Sequence, residues 1–382
     1  MTTQGLTATH HRSQLIEHAQ RADTVRGVFG AASERLRRLV PFDAAAWLAT
    51  DPATGLPTSP TRTENMGHFG GREACLAVWE LEFLVEDVNL FMELARSERP
   101  AAGLRMTTQD RPARSARYRR ILRPHGFGDE LRAVLRADGS PWASVSLFRA
   151  EGRPAFDAGE RDLVAALSSP LGEAVRDHAR PVAAPAGHTA DHGPGLMLFD
   201  PGGRLISVND DALAWLDELA DELRDDTSSG IGLPIVVVST LVRARAIAAE
   251  RDHRTARARL RAGASGRWLV CHASCLRDLD GEIGNTALVI EPAKASEIAP
   301  IITHAYELTR REQEITQLIA RGFNTAGIAG RLHLSGHTVR DYVKAIFDKV
   351  GVSSRGELVA TIFEEHYRPL HLDPTGVERL EH

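Results

Sequence analysis

Residues 334–355 read LSGHTVRDYVKAIFDKVGVSSR. Ser335 stands just ahead of an apolar-periodic run, where a serine oxygen accepts from an N–H two or three residues on and starts a helix. From there Val339, Val343, Ile346, Phe347 and Val350 recur at i, i+4, i+7, i+8 and i+11, one stripe that must face a core. The opposite side shows Arg340, Asp341 and Lys344, with Thr338 beside them near the helix start. Yet the whole chain has a formal net charge of −5, with 46 Lys and Arg against 51 Asp and Glu. A cationic helix face in an acidic chain is either ordinary solvated surface or local charge with its own task.

The preceding residues favour a task. Thr309-Arg310-Arg311-Glu312 fits a capping box, so a helix begins there, with Ile315, Leu318 and Ile319 as its apolar stripe and Gly322 as its left-handed stop. Asn324 caps a second helix, whose inward residues are Ile328, Ala329 and Leu332, and a three-residue turn, His333 to Ser335, leads into the opening stretch. Two short helices on a tight turn, the second with its N-terminal polar side outward, make a helix-turn-helix that fits a major groove.

On Leu308-Thr309-x-Arg311-Glu312, Ile328-Ala329, Leu332, Ser335, Thr338-Val339-Arg340, Lys349-x-Gly351-Val352 and Arg355, this region resembles the LuxR/GerE-type helix-turn-helix DNA-binding domain. The resemblance implies an all-α four-helix domain over 300–370. It places Arg340, Asp341 and Lys344 against base edges, and Thr338, Lys349, Asn324 and Thr325 near phosphates, with Ser335 and His337 completing the DNA-facing set. A guanidinium at 340 suits guanine O6 and N7, and helix N-termini offer free N–H groups to phosphate. Asp341 departs from the usual pattern; it would accept from cytosine or pair with Lys344 or Lys349. Gly327 stands where the family commonly has glutamate, and with Gly330 it makes the second helix soft. The last helix, Gly356 to Phe363, matches the family's dimerisation helix and is expected to expose Leu358, Val359 and Ile362. The implied partners are double-stranded DNA, read as an inverted repeat, and a second copy of the chain.

A chain of 382 residues suggests two or three domains, each able to bury a core. Residues 1–12 read as disordered, 180–194 as a Pro-, Ala-, Gly- and His-rich linker, and 371–382 as a tail in which Leu380-Glu381-His382 looks like the start of a histidine tag. A second joint is expected near 300, between Pro292 and Pro300. The start lacks a signal peptide's apolar core, and the longest apolar run, around Ile235 to Leu241, is too short to cross a bilayer, so a cytoplasmic location without membrane contact is expected. Cys75, Cys271 and Cys275 are too few for a disulfide framework.

The fold class reads as multidomain α+β: two mixed sheet-plus-helix units ahead of the helical one. In residues 13–179 one long helix over Ser13 to Val40 is followed by a strand, then by two strands about Asp138-Gly139-Ser140 and a closing amphipathic helix. That order resembles a GAF-type sensory domain. In residues 195–299 a hairpin over Pro201-Gly202-Gly203 leads into a helix, then a helix near Pro234 to Arg251 and three strands, resembling a PAS-type domain. Such domains hold a small molecule or only mediate dimers, and both options stay open. Trp47, Trp79, Phe83, Phe91 and Trp142 are the candidate ligand-pocket residues, with core packing as the plainer reading. Cys271 and Cys275 fall on one strand face and His272 on the other, against a metal site. No Walker loop, G-x-S-x-G elbow or HExxH helix is present, so no catalytic residue, cofactor or metal is assigned. The expectation is a regulator rather than an enzyme, tuned by a small effector; the alternatives are upstream units that only oligomerise or that carry haem or flavin.

Overall fold

The computed structural model describes residues 3–66, 72–180, 192–220, 233–262 and 266–364. The linker, apart from its ends, and the C-terminal tail lie outside them.

The chain opens with α1 (Thr3–Gln20) and α2 (Val25–Leu39). This corrects two expectations: helix begins well inside the stretch read as disordered, and the single long helix is two. The break is local chemistry, since the Thr24 hydroxyl accepts from the Gly27 N–H at 3.0 Å and starts α2 afresh. There follow β1 (Ala44–Thr50), β2 (Pro57–Glu64), α3 (Arg72–Phe83), α4 (Phe91–Arg96), β3 (Ala101–Gly103), α5 (Leu104–Thr107), β4 (Phe127–Ala137), β5 (Ser140–Ala150) and α6 (Ala158–Asp177). The strands form one sheet in the order β2-β1-β5-β4-β3, and every pairing is antiparallel rather than mixed. Asp138 and Gly139 both have positive φ, as a two-residue hairpin between β4 and β5 requires. The closing helix α6 starts on a capping box between Asp157 and Glu160. It can lie close over β4 because residue 172 is glycine; a Cβ there would come within 2.5 Å of the Arg136 backbone.

The second sheet comes from β6 (Gly195–Phe199), β7 (Leu205–Val208), α7 (Asp210–Ala220), α8 (Ile235–Ala248), β8 (Arg257–Arg261), β9 (Trp268–Arg277) and β10 (Ile283–Pro292). Its order, β7-β6-β10-β9-β8, repeats that of the first sheet, again wholly antiparallel.

These two sheets belong to one compact unit. Leu48, Leu56, Trp79 and Phe83 of the first pack in one cluster with Phe199, Trp215, Val237, Leu241 and Leu288 of the second. Burying each large side chain there stabilises by roughly 1.5–3 kcal/mol. Polar ties cross the same boundary: Asp51 accepts from the Arg259 N–H at 2.9 Å, and Arg245 pairs with Glu80 at 3.2 Å. Burial outweighs these contacts at Asp51 and raises its pKa.

A second unit holds α9 (Ala295–Ala305), α10 (Arg310–Ala320), α11 (Thr325–Leu332), α12 (Gly336–Val350) and α13 (Arg355–Val359), which runs on as a wider turn to Glu364. The joint expected near 300 falls inside α9, with Pro300 accommodated in the helix. The buried face of α9 is Ile298, Ile301, Ile302 and Ala305, and α9 packs against the turn that follows α13. That packing corrects a third expectation. Leu358 and Ile362 are fully buried within the unit, not exposed, and Val359 is half-buried. Among the described residues no helix is long and apolar enough to cross a membrane.

Candidate nucleic-acid interface

The site is built by three caps and a turn. The Thr309 hydroxyl accepts from the Glu312 N–H at 3.3 Å while the Glu312 carboxylate takes the Thr309 N–H at 2.7 Å, fixing α10. The Asn324 side chain accepts from the Gly327 N–H at 2.9 Å and starts α11. His333 then takes a left-handed conformation, φ 53°, which turns the chain between the helices. The Ser335 hydroxyl accepts from the Thr338 N–H at 3.0 Å and starts α12, which Gly351 ends at φ 77°.

Val339, Ile346 and Val350 are buried on the inner side of α12, with Val343 and Phe347 half-buried. His337, Arg340, Asp341 and Lys344 are exposed at spacings of three, four and seven, so they share the outer stripe of its first two turns. Ser335 is exposed and Thr338 half-buried at the helix start. Asp341 lies 3.8 Å from the His337 ring, not against Lys344 or Lys349. Arg340 and Lys344 have no ion-pair or hydrogen-bond partner among the described residues.

Lys349 is placed differently from expectation. Its ammonium sits 2.7 Å from the Glu312 carboxylate and donates to the Glu307 carbonyl at 3.0 Å, so it is committed inside the unit rather than offered to a phosphate. Burial alone would raise the Glu312 pKa, but Lys349 and the Thr309 cap outweigh it and hold the carboxyl below its ordinary range.

Two arginines that received no role in the sequence fasten the ends of α11. Arg355 donates to the Phe323 carbonyl and the Thr325 hydroxyl, each at 3.0 Å, bracing its start. Accepting from Arg355 leaves the Thr325 hydroxyl hydrogen available for donation. Arg311 donates to the Leu332 carbonyl at 2.8 Å and to Glu314 at 2.7 Å, bracing its end. Both stand at motif positions, which was the only signal available.

Charge is local as well. Residues 306–362 carry eight Lys and Arg against six Asp and Glu, and the rest of the chain 38 against 45. The acidity therefore lies outside the helix-turn-helix.

Residues 306–362 match the family described as bacterial regulatory proteins, luxR family (GerE). This segment is a LuxR-family helix-turn-helix domain. The chain is 39% identical over 59 residues to the transcriptional regulatory protein DesR of Bacillus subtilis, covering 15% of this chain and 30% of DesR. It is 42% identical over 53 residues to the probable transcriptional regulatory protein SgaR of Hyphomicrobium methylovorum, covering 14% of this chain and 25% of SgaR. The chain thus spans less than a third of either relative. Escherichia coli SdiA aligns with 94% of this chain and 98% of its own at 12% identity and a TM-score of 0.31, a likeness too slight to carry an argument.

The aromatic candidates upstream of the LuxR-type domain do not form one pocket. Trp79, Phe83 and Phe91 line a common cavity of about 10 Å³, room for roughly one water. Trp47 is on the other face of β1, stacked on Phe29 of α2 at 5.9 Å, and Trp142 is buried away from the cavity lining. Strand alternation separates Trp47 from Leu48, whose side chain reaches the shared core. Cys271 is buried and its thiol pushed up to about 12 by that burial, while the Cys275 sulfur meets the Thr286 hydroxyl at 3.3 Å.

Proposed function

We propose that the chain is a transcriptional regulator that binds an inverted-repeat operator as a homodimer, tuned by a small effector at the upstream sheets. The observation that carries it is the outer stripe of α12: Arg340 and Lys344 stand exposed, without a partner among the described residues, on a helix started by the Ser335 cap and set beside an α11 that Arg311 and Arg355 brace. Arg340 and Lys344 meet base edges, and Asn324, Thr325, Ser335, His337 and Thr338 lie along the groove wall, where helix N-termini suit phosphate. Asp341 stays beside His337 unless a cytosine amino group takes it. With Lys349 committed elsewhere, few phosphate contacts remain, so binding is modest and its fall with salt is shallow.

Reading the first upstream unit as GAF-like and the second as PAS-like is supported by their common strand order and flanking helices. The burial of Leu358 and Ile362 leaves Val359 as the one partly accessible member of the proposed dimer contact. An effector acts only through differential affinity for two arrangements of the dimer.

Operator fragments selected by the full chain provide the test. Arg340→Ala should weaken specific binding by about 1–3 kcal/mol in fluorescence anisotropy, while Arg120→Ala, an exposed upstream control, should not. Equal losses at both would remove the proposed reading face.

A further inference from the structure

Among the described residues, every large apolar side chain that stands exposed belongs to the second sheet, its hairpin turn or α7: Leu196, Ile206, Leu213, Leu276, Leu279 and Ile283. The first sheet and the C-terminal unit show none among theirs. Register sorts the set. Val289 lies opposite Leu196 and His272, and Ala287 opposite Leu198 and Ser274, so these six share one face, which Leu276 extends along β9. The other face is covered, with Phe199, Cys271, Leu288 and Ile290 buried against α7 and α8. On the open face Leu196 is 52% and Leu276 49% exposed.

Interface centres are set apart from ordinary surface by their lack of charge. The outward positions of β6, β10 and β9 between Leu196 and Leu276 hold only Leu, Ala, Val, Ser and His, and Ser207 of β7 continues them. Charge rings this centre instead. Arg277, Asp278, Asp280 and Glu282 stand exposed at the β9–β10 turn, and Arg257 and Glu291 are half-buried toward β8, where Val270 and Trp268 close the face. A centre without fixed charge can meet its own copy with no like charges opposed.

The occupant follows from the C-terminal unit. Leu358 and Ile362 are buried there, which leaves Val359 as the accessible remnant of the expected pairing helix. A standard interface takes roughly 800 Å² from each partner, far more than one half-buried valine offers. The open face is about 19 Å across its four strands and about 23 Å from His272 to Leu279 before its rim is counted, which is that scale. We propose that the outer face of β7, β6, β10 and β9 is the dimer contact, and that its occupant is the same face of a second copy of the chain. The two sheets stack about 10 Å apart around a two-fold axis, Leu196 and Leu276 buried between them. This rests on the homodimer part of the proposed function and locates its contact, and its test needs no DNA.

Sedimentation equilibrium of the full chain alone should show a reversible dimer. Leu196→Glu and Leu276→Glu each put a carboxylate on the face at an exposed position, so both should keep the parent's far-UV spectrum and raise the dimer Kd at least tenfold. Leu213→Glu, equally exposed but on α7 and off the face, should leave it unchanged. A chain that is monomeric throughout its soluble range, a dimer indifferent to both face variants, or an equal loss from Leu213→Glu overturns the proposal. A dimer with these responses that selects no operator counts against the reading face alone; operator binding by a chain whose dimer ignores both face variants counts against this contact alone.

Discussion

Lys349 shows how one residue changes meaning once its neighbours are known. On its own helix it is an exposed cation in the last turn, and the family resemblance assigns it to a phosphate. In the folded unit it closes the capping box of α10 from 37 residues away. Lys349→Met should therefore lower the stability of the C-terminal unit by roughly 1–3 kcal/mol, the range for hydrogen bonds to charged groups, and show it as a lower unfolding midpoint in denaturant. A variant that binds DNA more weakly at unchanged stability would restore the phosphate role. The pH dependence follows with a definite sign. The folded-state pKa of Glu312 is depressed, so its contribution is fully present above the ordinary glutamate range and is lost as pH falls through the lowered value. In Lys349→Met that acid-side loss should shrink, which pH-dependent unfolding measures. The exposure of Arg340 and Lys344 was legible because it depends only on helix phase. The roles of Arg311, Arg355 and Lys349 were not, because their partners come from other helices.

At the level of elements, what sequence made plain was whatever local chemistry decides. Alternation gave β8, the Asp138-Gly139 pair gave the hairpin, and Thr309, Asn324 and Ser335 gave the three helix starts, whereas β2 and β3 were not read as strands. What it could not supply was the coverage of one element by another. The stretch that forms α9 reads as a joint near 300 until its apolar face is seen packed on the turn after α13. Similarly, five aromatics suggest a pocket until strand parity puts Trp47 on the far face. The glycines of α11 differ in the same contextual way. A methyl at Gly330 would touch nothing, whereas one at Gly327 would come within 3.3 Å of the Phe323 ring. Gly330→Ala should thus raise stability by about 1 kcal/mol, read as a higher thermal midpoint, and Gly327→Ala should gain less. Equal gains at both would show that Phe323 yields freely.

Over the whole molecule, the boundaries that matter are those of the cores. The two sheets share one cluster and pack as one compact unit that ends at Pro292. At the other end the family match starts at 306, but the helix covering Ile362 starts at Ala295. A fragment of residues 293–364 should unfold cooperatively as a monomer. A fragment beginning at 306 should lose several kcal/mol, since Ile298, Ile301 and Ile302 each contribute roughly 1.5–3 kcal/mol by burial. Sedimentation and thermal melts of the pair decide this; identical stability would mean that α9 is dispensable.

Only Ala293 and Lys294 lie between the last strand, β10, and α9. Two residues contribute roughly four soft backbone torsions, far fewer than a slack tether of glycine and serine would bring. Any slip or tilt of that final strand therefore has almost no slack in which to dissipate before it reaches the first turn of α9.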